Sequence, residues 1–427
     1  MNGELVGHWR LPATGAQEFL YDDAWLASPA SRPISLSLPL RPSREPYRAN
    51  VEAFFDNLLP DNRHIRERLQ RRFRTASIQA FDLLQEVGRD CAGALQLLDE
   101  DSPAPDVRKI TGDPLTSAGV AALLGSALNP SFGQDADSDN FRISLAGAQE
   151  KTALLWHGGR WRRPTGTTPT THILKLPIGL SSQGIDLTTS VENEWLCAQL
   201  VQTYGIAIAP CRIETFDEFK TLVVERFDRR LAEGGKWWLR LPQEDFCQAT
   251  GTPPAFKYES DGGPGIRKIM DVLLTSENAA ADRRDFLRTQ LVFWLLAAID
   301  GHAKNFSLFL LPGGAFRLTP RYDVLSAYPM IGRGRGRLAP EKIKMAMAVE
   351  GKNRHYQWNS IRLRHWLETG KRCGEPDMTA LVRELVDQTP AVLSSVEKRV
   401  PASFPAALAE AIVAGVRNAA TELGDEL

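Results

Sequence analysis

The chain has few cysteines, no long apolar run and almost no net charge. Its five cysteines are Cys91, Cys197, Cys211, Cys247 and Cys373, an odd number with no CxxC pair. That argues against a disulfide framework or a zinc site and fits reduced thiols. The longest apolar run, Leu291 to Ile299, is too short to cross a bilayer. The opening MNGELVGHWRL lacks a charged-then-apolar signal pattern. The formal net charge is −1, so no bulk attraction to nucleic acid or membrane follows. Neither the Walker pattern nor GxGxxG occurs, and there is no internal repeat or low-complexity tract. The expectation is a cytoplasmic protein that makes no membrane contact. Its 427 residues are more than one domain's worth of chain.

What the chain does have is concentrated between Leu291 and Tyr328. An apolar helix runs into Ile299-Asp300, and a polar loop, Gly301-His302-Ala303-Lys304, leads to Asn305. Phe306–Leu311 and Phe316–Leu318 flank Pro312-Gly313-Gly314 and read as a hairpin, with Tyr322-Asp323 just beyond it. Phosphoryl transfer from ATP needs one carboxylate for the attacking hydroxyl. It also needs an amide oxygen and a second carboxylate for Mg2+, a hard ion that prefers oxygen ligands. Protein kinases space the base Asp and the metal-binding Asn five positions apart, as Asp300 and Asn305 are here. Taken singly, each of these residues also reads as an ordinary turn or helix cap.

Upstream, residues 1–48 look β-rich, with alternation in Leu5–Trp9 and Ile34–Leu38. Residues 49–98 turn helical, with Asn50 as a candidate cap for the first helix and Asp61 or Asn62 for the second. The arginines from Arg63 to Arg74 read first as a solvated helix face. FRISLAGAQEKTALLW reads as strand, small-residue loop, strand. Gly147 between Ala146 and Ala148 lets backbone N–H groups approach an anion, and Lys151 adds charge. Lys175 lies in the strand HILKL, and Glu194 sits in the first turn of a helix over Asn193–Tyr204. That order and those element types match the strand lysine and helix glutamate that orient phosphates in kinases. TLVVERF reads as a central strand whose end, Glu225-Arg226-Phe227, falls where an adenine-binding hinge belongs. From Ile266 onward the pattern is helical. The fold expected is α+β and kinase-like, two unlike lobes with a cleft between them. A β-rich N-terminal region precedes an all-helical C-terminal lobe. Its parts are residues 1–130 as an N-terminal subdomain, 131–240 as the kinase N-lobe and 241–427 as the C-lobe.

The segments RISLAGAQEKTAL, HILKLP, NEWL, VVERFDR, LPQEDFCQATG, IDGHAKNFS and YDVLS occur in that order. Together they resemble the HipA family, the kinase toxins of bacterial HipBA toxin–antitoxin modules. The resemblance spans nearly the whole chain. It implies phosphorylation of protein serine or threonine with ATP and Mg2+. Asp300 would be the catalytic base, and Asn305 and Asp323 would hold the metal. Ala146, Gly147, Ala148, Gln149, Glu150 and Lys151 would form the phosphate loop, and Lys175 would bind phosphates. Glu225, Arg226 and Phe227 would contact adenine, with His302, Lys304 and Tyr322 beside the nucleotide. Ser144 would be the site of an inactivating autophosphorylation. The resemblance also implies a HipB-like helix-turn-helix antitoxin, and operator DNA reached through it. It further implies growth arrest or persistence through a target such as glutamyl-tRNA synthetase or another aminoacyl-tRNA synthetase. Two other readings stand beside this one. The first is a small-molecule or phosphoinositide-type kinase, and the second is an inactive kinase fold kept as a corepressor.

Overall fold

The structure is a computed structural model that describes residues 1–41, 45–103, 105–128, 149, 151–181 and 183–427. Two compact units divide it. The first comprises Met1–Leu176, Glu214–Ala255 and Leu308–Phe316; the second comprises Pro177–Ile213, Phe256–Ser307 and Arg317–Leu427. Position 240, expected as a boundary, lies inside the first unit's segment Glu214–Ala255.

In the first unit, strands Gly7–Arg10 and Glu18–Tyr21 pair antiparallel. Trp9 stacks on Phe55 at 3.8 Å between ring centroids, and Phe19, Phe54, Leu83 and Leu84 fill the core below. Apolar side chains of both the hairpin and the helices are removed from water together, which drives their packing. Ile34–Leu38, expected as a strand, forms a tight turn instead, closed by Leu38 N–H to Ser35 O at 3.0 Å. Its polar groups are taken elsewhere. Ser35 and Ser37 hydroxyls donate to Gln248 O, and Leu36 N–H donates to Glu244 Oε1 at 2.8 Å. Asn62 caps the arginine-rich helix Arg63–Phe73 as expected, accepting from His64 N–H at 2.9 Å. Asn50 makes no side-chain cap bond. Arg63 pairs with Glu67 and Arg66 with Asp56, so part of that basic face is neutralised within the unit.

A six-stranded sheet has the order Gly112–Pro114, Arg160–Pro164, Lys151–His157, His172–Lys175, Phe219–Glu225, Cys211–Phe216. Antiparallel register sets Leu174 opposite Thr152 and Val223. Leu154, Leu174 and Val223 pack with Val120 and Leu124 of the helix Ser117–Leu128 in one core. Because side chains alternate across a sheet, the neighbouring positions fall on the other face. There Lys175 stands directly opposite Lys151.

A buried ionic network closes the unit. Asp90 meets Arg226 at 3.3 Å, Arg229 at 3.0 Å and Arg240 at 3.3 Å. Asp228 meets Arg226 at 2.9 Å and Arg229 at 2.8 Å. Thr170 adds N–H and hydroxyl bonds to Asp90 Oδ2 at 3.0 and 2.7 Å. Burial pushes the Asp90 carboxyl up, but Arg229, Arg226 and Arg240 outweigh it and hold it well below the usual carboxylate range.

The second unit is mainly helical but not wholly so. Lys344–Glu350 pairs with Arg354–Gln357, and Met345 to Val349 of that hairpin are buried. The helix Met378–Glu397 runs through Pro390. Proline inside a helix costs about 3 kcal/mol or more. Here Val392, Leu393 and Val396 continue the buried apolar period past it, and their burial keeps the helix going. Among the described residues no helix is long and apolar enough to cross a membrane.

Two outcomes follow for the first unit. Asp90→Asn removes one of the two buried carboxylates that balance three guanidinium groups, and it takes the ion-pair partner of Arg240, so unfolding free energy should drop by about 3–5 kcal/mol in a urea titration. Glu244 is fully enclosed, and burial pushes its carboxyl up to about 8. Its Oε2 has no hydrogen-bond partner among the described residues. The folded form therefore keeps a proton that the unfolded chain releases near pH 4.5. This contribution is full below pH 4.5 and is lost as pH rises to about 8. Melting temperature followed from pH 5 to 8 should fall more steeply for wild type than for Glu244→Gln.

Candidate active site

Within the second unit, the helix Ala279–Leu295 carries the chain into the loop before Asp300. It ends without glycine. Ala297 takes the left-handed conformation at φ 46°, and Ala298 N–H reaches back to Phe293 O at 2.8 Å. That closure turns the chain sharply and satisfies a helix-end carbonyl. Gly301 follows, where a Cβ would stand 2.6 Å from the Phe293 ring. Glycine lets the loop lie flat against the helix.

Asp300 is exposed, whereas His302, Ala303, Lys304 and Asn305 are buried. His302 N–H donates to Asp300 O at 2.8 Å and Asn305 N–H to His302 O at 2.9 Å, so the loop is a hydrogen-bonded turn. Asn305 Nδ2 donates to Asp323 O at 3.4 Å. Asp323 sits at φ 58°, a left-handed backbone that Asp tolerates better than most residues. The two metal-ligand candidates are thereby tied to one another. The Tyr322 hydroxyl donates to Lys304 O at 2.9 Å and bonds Ser307 Oγ. Its polar end therefore braces the loop that holds Lys304.

Two residues that the sequence reading passed over complete this scaffold. Asn193 Oδ1 accepts from Ser326 N–H at 2.8 Å, and Asn193 Nδ2 donates to Ser326 O at 2.8 Å. This buried reciprocal pair fastens the segment after Asp323 to the helix Ser190–Thr203. The signal lay in the NEWL and YDVLS segments, but nothing in sequence spacing joins them. That helix also starts earlier than expected, so Glu192 rather than Glu194 occupies its first turn; both are buried. The second missed residue is Tyr258, whose hydroxyl donates to Asp300 Oδ1 at 2.6 Å.

Asn305 Oδ1 is buried with no hydrogen-bond partner among the described residues. A buried amide oxygen left open costs free energy unless a ligand takes it. An open amide oxygen, on a residue whose amide nitrogen is tied to the Asp323 backbone, is a donor type that suits Mg2+. Among the described residues no group of three His, Cys, Asp or Glu could hold a metal alone. Two protein oxygens, with phosphate and water completing the shell, is the usual arrangement for Mg2+.

In the first unit, Lys175 is buried and shares its sheet face with Lys151. Like charges directly opposite one another disfavour pairing, and an anion between them offsets that. Gln149 Nε2 donates to Leu176 O at 2.6 Å. Ala146, Gly147, Ala148, Glu150 and Ser144 lie outside the described residues. At the hinge the geometry corrects one expectation. Arg226 N–H donates to Thr171 O at 2.9 Å, its carbonyl accepts from Arg229 N–H at 3.1 Å, and its side chain is buried in the ionic network. Arg226 is a structural residue with no N–H to offer adenine. Glu225 is exposed at the strand end, opposite His172, and Phe227 packs edge-on to Phe309 at 5.8 Å.

Comparison with known proteins meets this geometry at both ends of the chain. Residues 1–98 match the HipA N-terminal domain, and residues 143–393 match the HipA-like C-terminal domain. The chain belongs to the HipA family. It is 36% identical over 339 residues to the putative kinase Y4mE of Sinorhizobium fredii, covering 77% of each chain. It is 28% identical over 289 residues to the serine/threonine-protein kinase toxin HipA of Shewanella oneidensis, covering 65% of this chain and 63% of that one. Its fold matches the Shewanella oneidensis HipA solved with HipB and operator DNA, at TM-score 0.79 and 24% identity. That match covers 98% of this chain and 95% of the other. The α+β kinase-like fold is thus that of HipA proteins, and these relatives are named as a putative kinase and a kinase toxin.

If the two oxygens do hold metal, Asp323→Asn should keep the left-handed backbone, which Asn also tolerates, and lose the charge. Calorimetric titration should then show Mg·ATP binding weakened by about tenfold or more at an unchanged melting temperature.

Proposed function

We propose that this HipA-family protein is an ATP-dependent serine/threonine protein kinase of the toxin type. The observation that carries the reading is the buried, open Asn305 Oδ1, tied through its amide to Asp323, five positions after the exposed Asp300. Asp300 reaches solvent, where a protein hydroxyl can approach it, and orients that hydroxyl while accepting its proton. Asn305 and Asp323 hold Mg2+, which when bound neutralises charge on the phosphates. Lys151 and Lys175 set two positive charges on one sheet face for the triphosphate. The strand end Glu225–Phe227 receives adenine through Glu225 and Phe227.

The biological setting is proposed on the same footing. A HipB-like antitoxin neutralises the kinase and brings it to operator DNA, as the composition of the Shewanella complex suggests. The target is a cytoplasmic protein, with an aminoacyl-tRNA synthetase as the first candidate, and its phosphorylation arrests growth. Phosphate on Ser144 adds close to two negative charges beside the phosphate loop and shuts the enzyme off by like-charge repulsion.

Wild type and Asp300→Asn should be incubated with labelled ATP and cell lysate. Wild type should label a protein band and place phosphate on its own Ser144. Asp300→Asn should bind ATP normally and transfer at least about 100-fold less. Label confined to small molecules, or full transfer by Asp300→Asn, overturns the reading.

A further inference from the structure

Tyr258 belongs to a loop that the assigned kinase parts do not use. Its hydroxyl donates to Asp300 Oδ1 at 2.6 Å, and among the described residues Asp300 Oδ2 accepts no hydrogen bond. The loop carrying Tyr258 is itself fixed. Tyr258 O accepts from Asp261 N–H at 3.1 Å and from Gly263 N–H at 2.9 Å. Gly263 is required there, because a Cβ would stand 2.0 Å from Phe256 O. Lys257 O accepts from Ala303 N–H at 3.3 Å, inside the Asp300–Asn305 turn. The next residue, Glu259, accepts from Ala348 N–H at 2.6 Å and pairs with Arg354 at 3.6 Å, which anchors the loop to the hairpin Lys344–Gln357. The Tyr258 ring meets His302 edge-on, 5.1 Å between centroids at 83°.

We propose that Tyr258 is a positioning residue for Asp300, a role that rests on reading Asp300 as the base. An exposed aspartate on a loop samples several rotamers, and only some of them aim an oxygen at the acceptor hydroxyl. The Tyr258 hydroxyl holds one carboxylate oxygen and so fixes the plane of the group. The second oxygen is left for the acceptor's proton. Tyrosine suits this task because its two side-chain torsions cost little entropy and its ring is braced by His302. The bond is solvent-exposed, so its net worth to folding is only about 0.5–1.5 kcal/mol. Its effect should therefore appear in turnover before it appears in stability.

The test compares Tyr258→Phe, Asp300→Asn and wild type. It measures phosphate transfer from labelled ATP to lysate protein, the KM for ATP and the melting temperature. Tyr258→Phe keeps the ring contact and loses only the hydroxyl. It should lower kcat by about 10–100-fold, leaving KM for ATP and the melting temperature at wild-type values. Wild-type kcat in Tyr258→Phe, with Asp300→Asn inactive, overturns the positioning role and leaves the base assignment standing. A raised KM or a lowered melting temperature that accounts for the loss marks a structural tyrosine and also overturns it. Full activity in Asp300→Asn, or no transfer by wild type, overturns the underlying reading as well.

Discussion

Everything in the first unit depends on one carboxylate held among three guanidinium groups. Asp90 belongs to the N-terminal HipA segment, whereas Arg226 follows the sheet strand Phe219–Glu225 and Arg229 and Arg240 face each other in the separate hairpin of Arg229–Leu231 and Trp238–Arg240. Burying any of these charges alone would be prohibitive, so none can be inside unless all are. The network therefore specifies that residues 1–98 and the sheet fold as one body. It also commits Arg226, just after the strand Phe219–Glu225, inward through both side chain and backbone.

The second unit solves a different problem. The turn from Asp300 to Asn305 sets an acid that reaches solvent and a buried amide within six residues, because the helix before it ends in the left-handed Ala297 and Gly301 lies flat on Phe293. Three consecutive buried residues, Ala303, Lys304 and Asn305, then anchor the turn. Tyr322 and Ser307 grip it from the other side.

Much of this was legible in the sequence. The spacing of Asp300 and Asn305, the hairpin over residues 307–318 and the strand lysine all follow from local pattern, and local pattern is what one chain displays. The helical character of the C-terminal part was legible too, although not that buried Val392, Leu393 and Val396 would carry one helix past Pro390. The misses share a cause. Ile34–Leu38 alternates like a strand, but its polar groups bond to Glu244 and Gln248, more than 200 residues away. Arg226 sits at a motif position that suggests ligand contact, yet its partners are Asp90 and Asp228. The Asn193–Ser326 pair and Tyr258 are likewise long-range polar contacts. Hydrophobic periodicity reports which face is buried; it is silent about which distant polar group meets which.

That silence matters most at Asp323. A non-glycine residue at positive φ costs of order 1–3 kcal/mol and persists only where its surroundings over-determine it. Here the carbonyl is held by Asn305, and the segment beyond it by the two-way clasp of Asn193 and Ser326. The helix Ser190–Thr203 supplies that clasp and also carries the buried Glu192 and Glu194. One helix thus bears both the clasp behind Asp323 and two buried acids, so the left-handed backbone at Asp323 depends on how that helix packs within the second unit.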